Sequence, residues 1–218
     1  MNFLKPFIRI VLLLIVSSAV YAQKSDDIKW AADGQGFYRY EQQSIVFYRL
    51  PSFERKIIAD SSALQAAGNG DDLKIQDFSV IDNGNKILLF TNTKKVWRKN
   101  TRGDYWIFDV PAKRLKQIGK GLVSSSLMFA KISPDQFSVA YVSGHNLYIE
   151  NISNGNIKKL TNDGSPKMIN GTFDWAYEEE FSCRDGFRWS PDSKKIAFWQ
   201  IDAQKIKDFL LINNTDSL

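Results

Sequence analysis

The sequence predicts an all-β fold of the β-propeller class, because turns and strand-like runs recur along the chain at a regular spacing. Four segments share an apolar residue followed by a polar turn that contains Asp or Asn, at intervals of about 50 residues. These segments are residues 30–33, 80–83, 132–135 and 189–192. Repeats of this length with several short strands each are typical of blades arranged around an axis.

Each turn leads into a run rich in β-branched and aromatic residues, and most units continue into a second run. The first runs are residues 36–40, 87–90, 139–142 and 196–199. The second runs are residues 45–50, 105–110 and 146–150. Basic residues at 113–118 and 154–160 predict the outer hairpins of two blades, where lysine and arginine keep strand edges solvated. Residues 60–77 lack a period and predict an irregular loop.

The first 22 residues differ from the remainder and predict a signal peptide. Lys5 and Arg9 precede an unbroken apolar run at residues 10–16, and small residues lead to a cleavage point after Ala22. The apolar run is short for a membrane span, which needs about 20 residues, so we expect cleavage and no span afterwards. An uncleaved anchor is the alternative. The protein is therefore expected to be exported, to the periplasm or the extracellular space.

Charge and cysteine content exclude several classes of function. The formal net charge of +5 falls to +3 without Lys5 and Arg9, and the basic residues are scattered, so no nucleic-acid surface is predicted. Cys183 is the only cysteine, which excludes a disulfide within the chain and a cysteine-based metal site. We predict no metal and no cofactor. His145 is the only histidine and is interpreted as a turn residue.

The most informative segment is residues 174–181, where three consecutive glutamates lie between aromatic residues. Adjacent carboxylates repel one another, and burial beside aromatic rings would add a desolvation cost unless a cation compensates. The pattern therefore predicts a site for a positively charged ligand, such as a peptide ammonium group. In a strand, neighbouring side chains point to opposite faces, so convergence of Glu179 and Glu180 requires a helical turn or a bulge.

The motif D-W-x-Y-E-E-E at Asp174–Glu180, followed by W-S-P-D at residues 189–192, resembles the N-terminal propeller domain of the dipeptidyl peptidase IV family. The resemblance implies that Glu179 and Glu180 bind the free amino terminus of a peptide substrate. A Trp-Arg pair resembles a second family element and implies that Arg98 contacts a substrate carbonyl in the same cavity. Arg102 is a nearby competitor for that role.

Four other residues of the motif are predicted to shape the loop. Asp174 can accept backbone N–H bonds, Trp175 and Tyr177 can pack the segment against the blade, and Glu178 belongs to the same group. Trp30, Trp106, Trp189 and Trp199 are expected in the core. No catalytic residue is predicted, because Ser143 beside His145 lacks an orienting third group and the sequence contains no G-x-S-x-G.

The resemblance implies an eight-bladed propeller, whereas the repeats indicate about four blades, so residues 23–218 are expected to be part of a propeller domain. An α/β-hydrolase domain with a Ser, Asp and His triad is expected to follow residue 218. The implied function is the gating and amino-terminus-recognising part of an exported serine-type dipeptidyl peptidase that releases X-Pro or X-Ala dipeptides. A homodimer is one assembly that the sequence leaves open.

Two alternatives remain open. A periplasmic propeller without enzymatic activity could use the same surface to bind a protein or a peptide partner. A related oligopeptidase or tripeptidyl peptidase could hold the same glutamates further from its nucleophile.

Overall fold

The structure is a computed structural model that describes residues 28–68 and 73–208. The predicted signal peptide and its cleavage point after Ala22 lie outside the described residues. Within the described part, no helix has the length and apolar character needed to cross a membrane. The described residues fall into two compact units, which divide between Asp60 and Ser61. The fold is mostly β, as the sequence predicts.

The first unit contains one antiparallel sheet of four strands in sequential order. Its strands are β1 (Lys29–Trp30), β2 (Gly36–Glu41), β3 (Ser44–Arg49) and β4 (Glu54–Asp60). Ile45 and Val46 on β3 are fully buried, and Tyr38 on β2 packs its ring against Phe47 with ring centroids 4.9 Å apart. These contacts across neighbouring strands give the sheet its apolar core.

The second unit begins with a helix and continues as an eight-stranded antiparallel sheet. The helix, α1 (Ser61–Ala67), corrects the prediction of an irregular loop for this region, and its Leu64 is buried. The strands form two meanders of four. They are β5 (Ile75–Ile81), β6 (Lys86–Val96), β7 (Lys99–Asp109), β8 (Arg114–Ile118), β9 (Leu127–Ile132), β10 (Ser138–Ser143), β11 (Asn146–Asn151) and β12 (Ile157–Lys159).

The two meanders join through a short pairing of β7 with β9, in which Arg102 lies opposite Met128 and Gly103 opposite Leu127. At the same residue β7 lies very close to β6, which only a glycine permits, because a Cβ atom at Gly103 would lie 2.5 Å from the carbonyl oxygen of Thr91. A core cluster spans both meanders. Its buried members are Leu88, Tyr105, Ile107, Ile118, Leu127, Val139 and Tyr141.

Two shorter ladders complete the second unit. They pair β13 (Met168–Asn170) with β16 (Gln200–Asp202), and β14 (Phe187–Trp189) with β15 (Ile196–Phe198). Between β13 and β14 lies a helix, α2 (Trp175–Phe181). An antiparallel bridge between Thr172 and Asp185 joins the two ends of the segment that carries α2. We call this segment, residues 172–185, the excursion, and the bridge its base. The sequence prediction of a helical turn at the three glutamates is therefore confirmed, and its insertion into a blade stays a prediction.

The four predicted turns each lie between the first and second strand of an antiparallel set. In the two S-P-D turns the serine hydroxyl donates to the aspartate, with Ser133 to Asp135 and Ser190 to Asp192 both at 2.6 Å. These hydroxyl groups lower the pKa of both aspartates. The repeat found in the sequence therefore corresponds to a repeat of local structure.

Two tryptophans do not occupy the core that the sequence predicts for them. Trp30 is 65% exposed and Trp199 is 62% exposed, whereas Trp106 and Trp189 are half-buried. The last two have partners for their indole N–H groups, the hydroxyl of Thr91 and the carbonyl of Lys131. The described strands form separate sheets without a closed ring, so the number of blades stays a prediction.

Candidate functional site

The acidic motif forms α2 because a capping hydrogen bond stabilises each end of the segment. At the N-cap, Asp174 has an extended backbone, and its Oδ1 accepts the N–H of Tyr177 at 3.0 Å. At the other end, Ser182 has a left-handed conformation with φ of 53°, and the N–H of Cys183 donates to the carbonyl of Tyr177 at 3.1 Å. Asp174 thus lies where the sequence prediction puts it, as an acceptor of a backbone N–H.

The three glutamates of α2 face three different environments, since consecutive helical residues are rotated by about 100°. Glu178 points inward, with a side chain that is 5% exposed. Glu179 is largely covered, with a side chain that is 12% exposed. Glu180 is exposed, and no ion pair involves it among the described residues. The helix therefore places three adjacent glutamates in surroundings that differ in burial and in ion pairing.

Glu178 is paired with a cation that the sequence reasoning missed. Its Oε1 accepts from the Nε of Arg184 at 3.1 Å, and the arginine side chain is itself mostly covered. A buried carboxylate is costly without such a partner. The signal in the sequence was an arginine just beyond the helix, six residues after Glu178, but the irregular backbone at residues 182–184 has no periodicity from which the contact could be predicted.

Glu179 is paired with Arg98, the residue that the family resemblance assigns to the same cavity. The Nε of Arg98 lies 2.5 Å from Oε2 of Glu179. Arg98 follows the tip residue Trp97 of the hairpin formed by β6 and β7, and its side chain is 77% exposed. Guanidinium and carboxylate form charge-assisted hydrogen bonds that are stronger than neutral ones. The structure therefore brings together Arg98 and Glu179 from segments about 80 residues apart in sequence.

The aromatic residues around the glutamates form a ladder along one side of α2. Phe173, Tyr177 and Phe181 follow a spacing of four residues, with ring centroids 5.6 Å and 5.8 Å apart. Trp175 lies two positions away from this row and is 51% exposed. Trp175 therefore lies outside the ladder that includes Tyr177, and its packing role stays a prediction.

The base of the excursion is fixed to β9 by charge. The ammonium group of Lys131 pairs with Asp185 and lies 3.8 Å from the ring centroid of Phe187. Asp185 also pairs with Arg188 at 3.0 Å. Burial lowers the pKa of Lys131, while the carboxylate of Asp185 acts in the opposite direction. Beside this base an open cavity of about 530 Å³ is lined by residues 185–188 and 197–199.

Other candidate residues take no part in this arrangement. The hydroxyl of Ser143 lies 2.9 Å from that of Ser126, and His145 lies with positive φ in the turn between β10 and β11. Burial and the nearby charge of Arg102 lower the pKa of His145. Among residues 28–68 and 73–208, no group of three or more His, Cys, Asp or Glu side chains is arranged to hold a metal ion.

Comparison with known proteins shows similarity to one family of peptidases. Residues 82–218 match the family model for the dipeptidyl peptidase IV N-terminal region. The chain is 33% identical over 212 residues to dipeptidyl aminopeptidase B of Saccharomyces cerevisiae, covering 90% of this chain and 24% of the relative. It is 34% identical over 124 residues to a probable dipeptidyl-aminopeptidase B of Arthroderma gypseum, covering 56% of this chain and 14% of the relative.

Solved structures agree with the sequence comparison. The crystal structure of Porphyromonas gingivalis dipeptidyl peptidase 4 matches with a TM-score of 0.73 and 27% identity, over 82% of this chain and 25% of that one. A putative dipeptidyl aminopeptidase IV from Bacteroides ovatus matches in fold, with a TM-score of 0.58 and 13% identity, over 88% of this chain and 24% of that one. The chain spans about a quarter or less of the length of these relatives.

Proposed function

The chain belongs to the dipeptidyl peptidase IV family through its N-terminal region, and on this premise we propose that Glu179 and Glu180 bind the free amino terminus of a peptide substrate. The single observation that carries the proposal is the placement of Glu180, exposed and unpaired among the described residues, next to a Glu179 held by Arg98. The charge that remains on this surface of α2 is negative, which suits an ammonium group.

Arg98 has two effects in this proposal. Its guanidinium offsets the repulsion between neighbouring carboxylates and holds the side chain of Glu179 next to Glu180 on α2. It also keeps several N–H donors in a planar fork, and its high exposure leaves these donors accessible to a carbonyl of the bound peptide. An ammonium at Glu180 and a carbonyl at Arg98 would fix the first residues of the substrate in one orientation.

The larger role follows from the same contacts. A peptide whose amino terminus is held at a fixed distance from a nucleophile is cut after a fixed number of residues, so the site selects substrates by length. We assign the cleavage itself to an α/β-hydrolase domain outside these 218 residues, with a serine nucleophile and X-Pro or X-Ala dipeptides as products. The sheets of this chain would contribute blades to the propeller that covers that domain, in an exported protein processed after Ala22.

The test compares two substrates in the complete peptidase. An X-Pro amide with a free amino group and the same amide with a blocked amino group are assayed with the unmodified enzyme and with the double variant Glu179→Gln/Glu180→Gln. We expect kcat/KM for the free-amine substrate to fall by about 100-fold in the variant, because two charge-assisted contacts are lost. We expect the blocked substrate to be poor for the unmodified enzyme and to change little in the variant.

A control variant tests whether the kinetic effect comes from the site or from a general loss of negative charge. Glu54→Gln removes an exposed glutamate from β4 in the first unit and should leave both substrates unchanged. Equal cleavage of free and blocked substrates by the unmodified enzyme would refute the role of the glutamates. Analysis of the released products decides between dipeptidyl and tripeptidyl release, and the absence of any peptidase activity would favour a propeller that only binds peptides.

A further inference from the structure

The hairpin that carries Arg98 extends beyond the sheet from which it starts. β5 pairs with β6 only as far as Thr91, and β8 pairs with β7 only from Tyr105 onward. β9 reaches β7 at Arg102 and Gly103. Beyond these residues, towards the turn at Trp97 and Arg98, β6 and β7 pair only with each other. We call this part of the hairpin, residues 94–101, the arm. The direction of a two-stranded arm depends on the geometry of its base.

The base of the arm contains an irregularity that changes its direction. The register between β6 and β7 shifts between Thr91 and Lys94, and shifts again between Lys94 and Lys95. Asn92, inside the first shift, has a left-handed backbone with φ of 46°. A bulge of this kind bends a strand and increases its twist, so it re-aims the residues that follow. Whatever fixes Asn92 therefore influences where Arg98 lies.

Asn92 is fixed by a buried carboxylate on the opposite strand. Oδ2 of Asp104 accepts from Nδ2 of Asn92 at 2.6 Å and from the hydroxyl of Ser124 at 3.3 Å, while Oδ1 accepts the N–H of Ser125 at 2.6 Å. The hydroxyl of Ser125 donates to the carbonyl of Asn92 at 2.7 Å. These four residues, which we call the Asp104 clamp, tie the bulge of β6 to the loop between β8 and β9.

We infer that Asp104 is a positioning residue for substrate binding, which acts by holding the Asn92 bulge so that the arm brings Arg98 to Glu179. The inference rests on the proposed function of Glu179 and Arg98. Asp104 touches neither of these residues, and its contacts are all at the base of the arm. The tip of the arm offers few other contacts that could fix its position, since Arg98 and Trp97 there are exposed.

An aspartate suits this position because donors approach both of its oxygens. A carboxylate accepts on both sides, whereas an asparagine presents one oxygen and one NH₂ group. In Asp104→Asn, the amide oxygen can serve either Ser125 or Asn92, and the NH₂ group then faces a donor. Two donors facing each other in a buried place are unfavourable, so the substitution should release one side of the clamp with little change in volume.

The first experiment measures the effect of the clamp on substrate binding in the complete peptidase. For Asp104→Asn we expect kcat/KM for a free-amine X-Pro amide to fall by about 10-fold, mainly through KM, with less than about 2-fold change for the blocked substrate. In the Arg98→Ala background the same substitution should have no further effect, because it acts through Arg98. An equal loss in both backgrounds, or no loss in either, would overturn the inference.

Asp109→Asn is the matched control. Asp109 lies on β7 as Asp104 does, and its Oδ1 accepts the N–H of Ala112 at 2.9 Å, at the end of the strand away from the arm. A substitution that merely disturbs β7 should therefore act at both positions. We expect Asp109→Asn to leave the preference for the free-amine substrate unchanged.

A reversed pair tests the contact directly. In the double variant Asp104→Asn/Asn92→Asp the donor and the acceptor exchange sides, and aspartate tolerates the left-handed backbone of position 92. We expect the double variant to recover most of the lost preference, which a purely structural defect would not allow. Should Asp104→Asn fail to fold, Asn92→Gly removes the same contact while it keeps the backbone conformation, and it should give the same loss.

A second readout does not depend on peptidase activity. Amide hydrogen exchange of residues 94–101 should be about 10-fold faster in Asp104→Asn than in the unmodified protein, and should return toward normal in the reversed pair. Unchanged exchange would overturn the inference. If Glu179→Gln/Glu180→Gln leaves substrate preference intact, the proposed function fails, while exchange still shows whether Asp104 fixes the arm.

Discussion

The two central hairpins of the second unit are equivalent in topology but differ in length. The hairpin of β10 and β11 has six residues in each strand and closes at Gly144 and His145, where the sheet ends. The hairpin of β6 and β7 has eleven residues in each strand and closes at Trp97 and Arg98. Strands of six residues suffice to build the hairpin of β10 and β11, and the additional length of β6 and β7 carries Arg98 to Glu179 on α2.

The turns of the two hairpins also differ in how they are held. The carbonyl of His145 accepts both the backbone N–H and the side-chain amide of Asn170, at 3.2 Å and 3.1 Å. Asn146, beside the same turn, is buried and accepts from Thr161 and Gly164. The long hairpin is fixed at its base by the Asp104 clamp and meets Glu179 near its tip. The short hairpin is held by hydrogen bonds at its turn. The position of the long hairpin depends on the hydrogen bonds at its base.

The largest expected effect comes from making the long hairpin short. Replacement of residues 94–101 by Asn-Gly, a favoured two-residue turn, should reduce the free-amine preference of the complete peptidase by about 100-fold. The blade core should remain, because its buried residues lie outside the arm. Substrate kinetics and the thermal midpoint are measured together. Replacement of Gly144 and His145 by the same turn is the control, and an equal kinetic loss there would remove the distinction between the hairpins.

The next largest effect concerns the buried side of α2, where Glu178 lies. Arg184→Ala leaves the buried side chain of Glu178 without its partner. We expect the free energy of unfolding to fall by about 2 kcal/mol, below the usual cost for a fully buried pair because the Arg184 side chain is partly exposed. Denaturant titration measures this change. Glu178→Gln should cost less, and the reverse order would show that the pair does not hold the helix.

A smaller effect is expected from the tip of the arm alone. Arg98→Ala should raise KM for the free-amine substrate by about 10-fold with a minor change in kcat, because an exposed charge pair contributes less than a buried one. Arg102→Ala is the matched control, since Arg102 is exposed on the same hairpin and lies at its base opposite Met128. If Arg102→Ala raised KM by the same factor, the contribution to substrate binding would not be specific to Arg98.

The smallest effect belongs to the short hairpin, where Glu150 on β11 is buried. Burial raises the pKa of this carboxyl above its ordinary value, while the N–H of Gly119, the charge of Lys116 and the hydroxyl of Tyr141 act against the shift. Between the ordinary and the raised pKa the folded protein binds more protons than the unfolded chain, so stability falls as pH rises through that window. Below the ordinary pKa this penalty is absent.

Glu150→Gln removes the titrating group and keeps an acceptor oxygen for the N–H of Gly119, which lies 2.7 Å from the carboxylate. The variant should therefore lose the decline in unfolding free energy across the same pH window. Denaturant titrations at several pH values above the ordinary glutamate pKa measure the difference between the two proteins. Parallel profiles would mean that Glu150 ionises without cost in the fold.

The repeating part of the fold was predictable, since local chemistry determines it. Serine and aspartate two residues apart form the same hydrogen-bonded turn at residues 133–135 and at residues 190–192. α1 was not predictable in this way, because one buried residue, Leu64, gives no helical period. Trp30 and Trp199 were assigned to the core by residue type, and residue type alone does not determine which face a strand presents.

The site was predictable in outline and not in detail. The motif indicated a helical turn and three charges, and the resemblance directed attention to Arg98. The separate environments of Glu178 and Glu179 depend on Arg184 and Arg98, which approach from an irregular segment and a distant hairpin. The Asp104 clamp escaped notice because its members lie on two strands and a loop. Such contacts are tertiary, and no local pattern encodes them.

The caps of α2 have a consequence for how this segment tolerates change over evolution. Asp174 and Ser182 set where the helix starts and stops, so the azimuth of every carboxylate between them is fixed by counting from the cap. Insertion or deletion of one residue would rotate the three glutamates by about 100° and exchange the inward and outward members without altering composition. Family members should therefore keep the number of residues between the two caps unchanged.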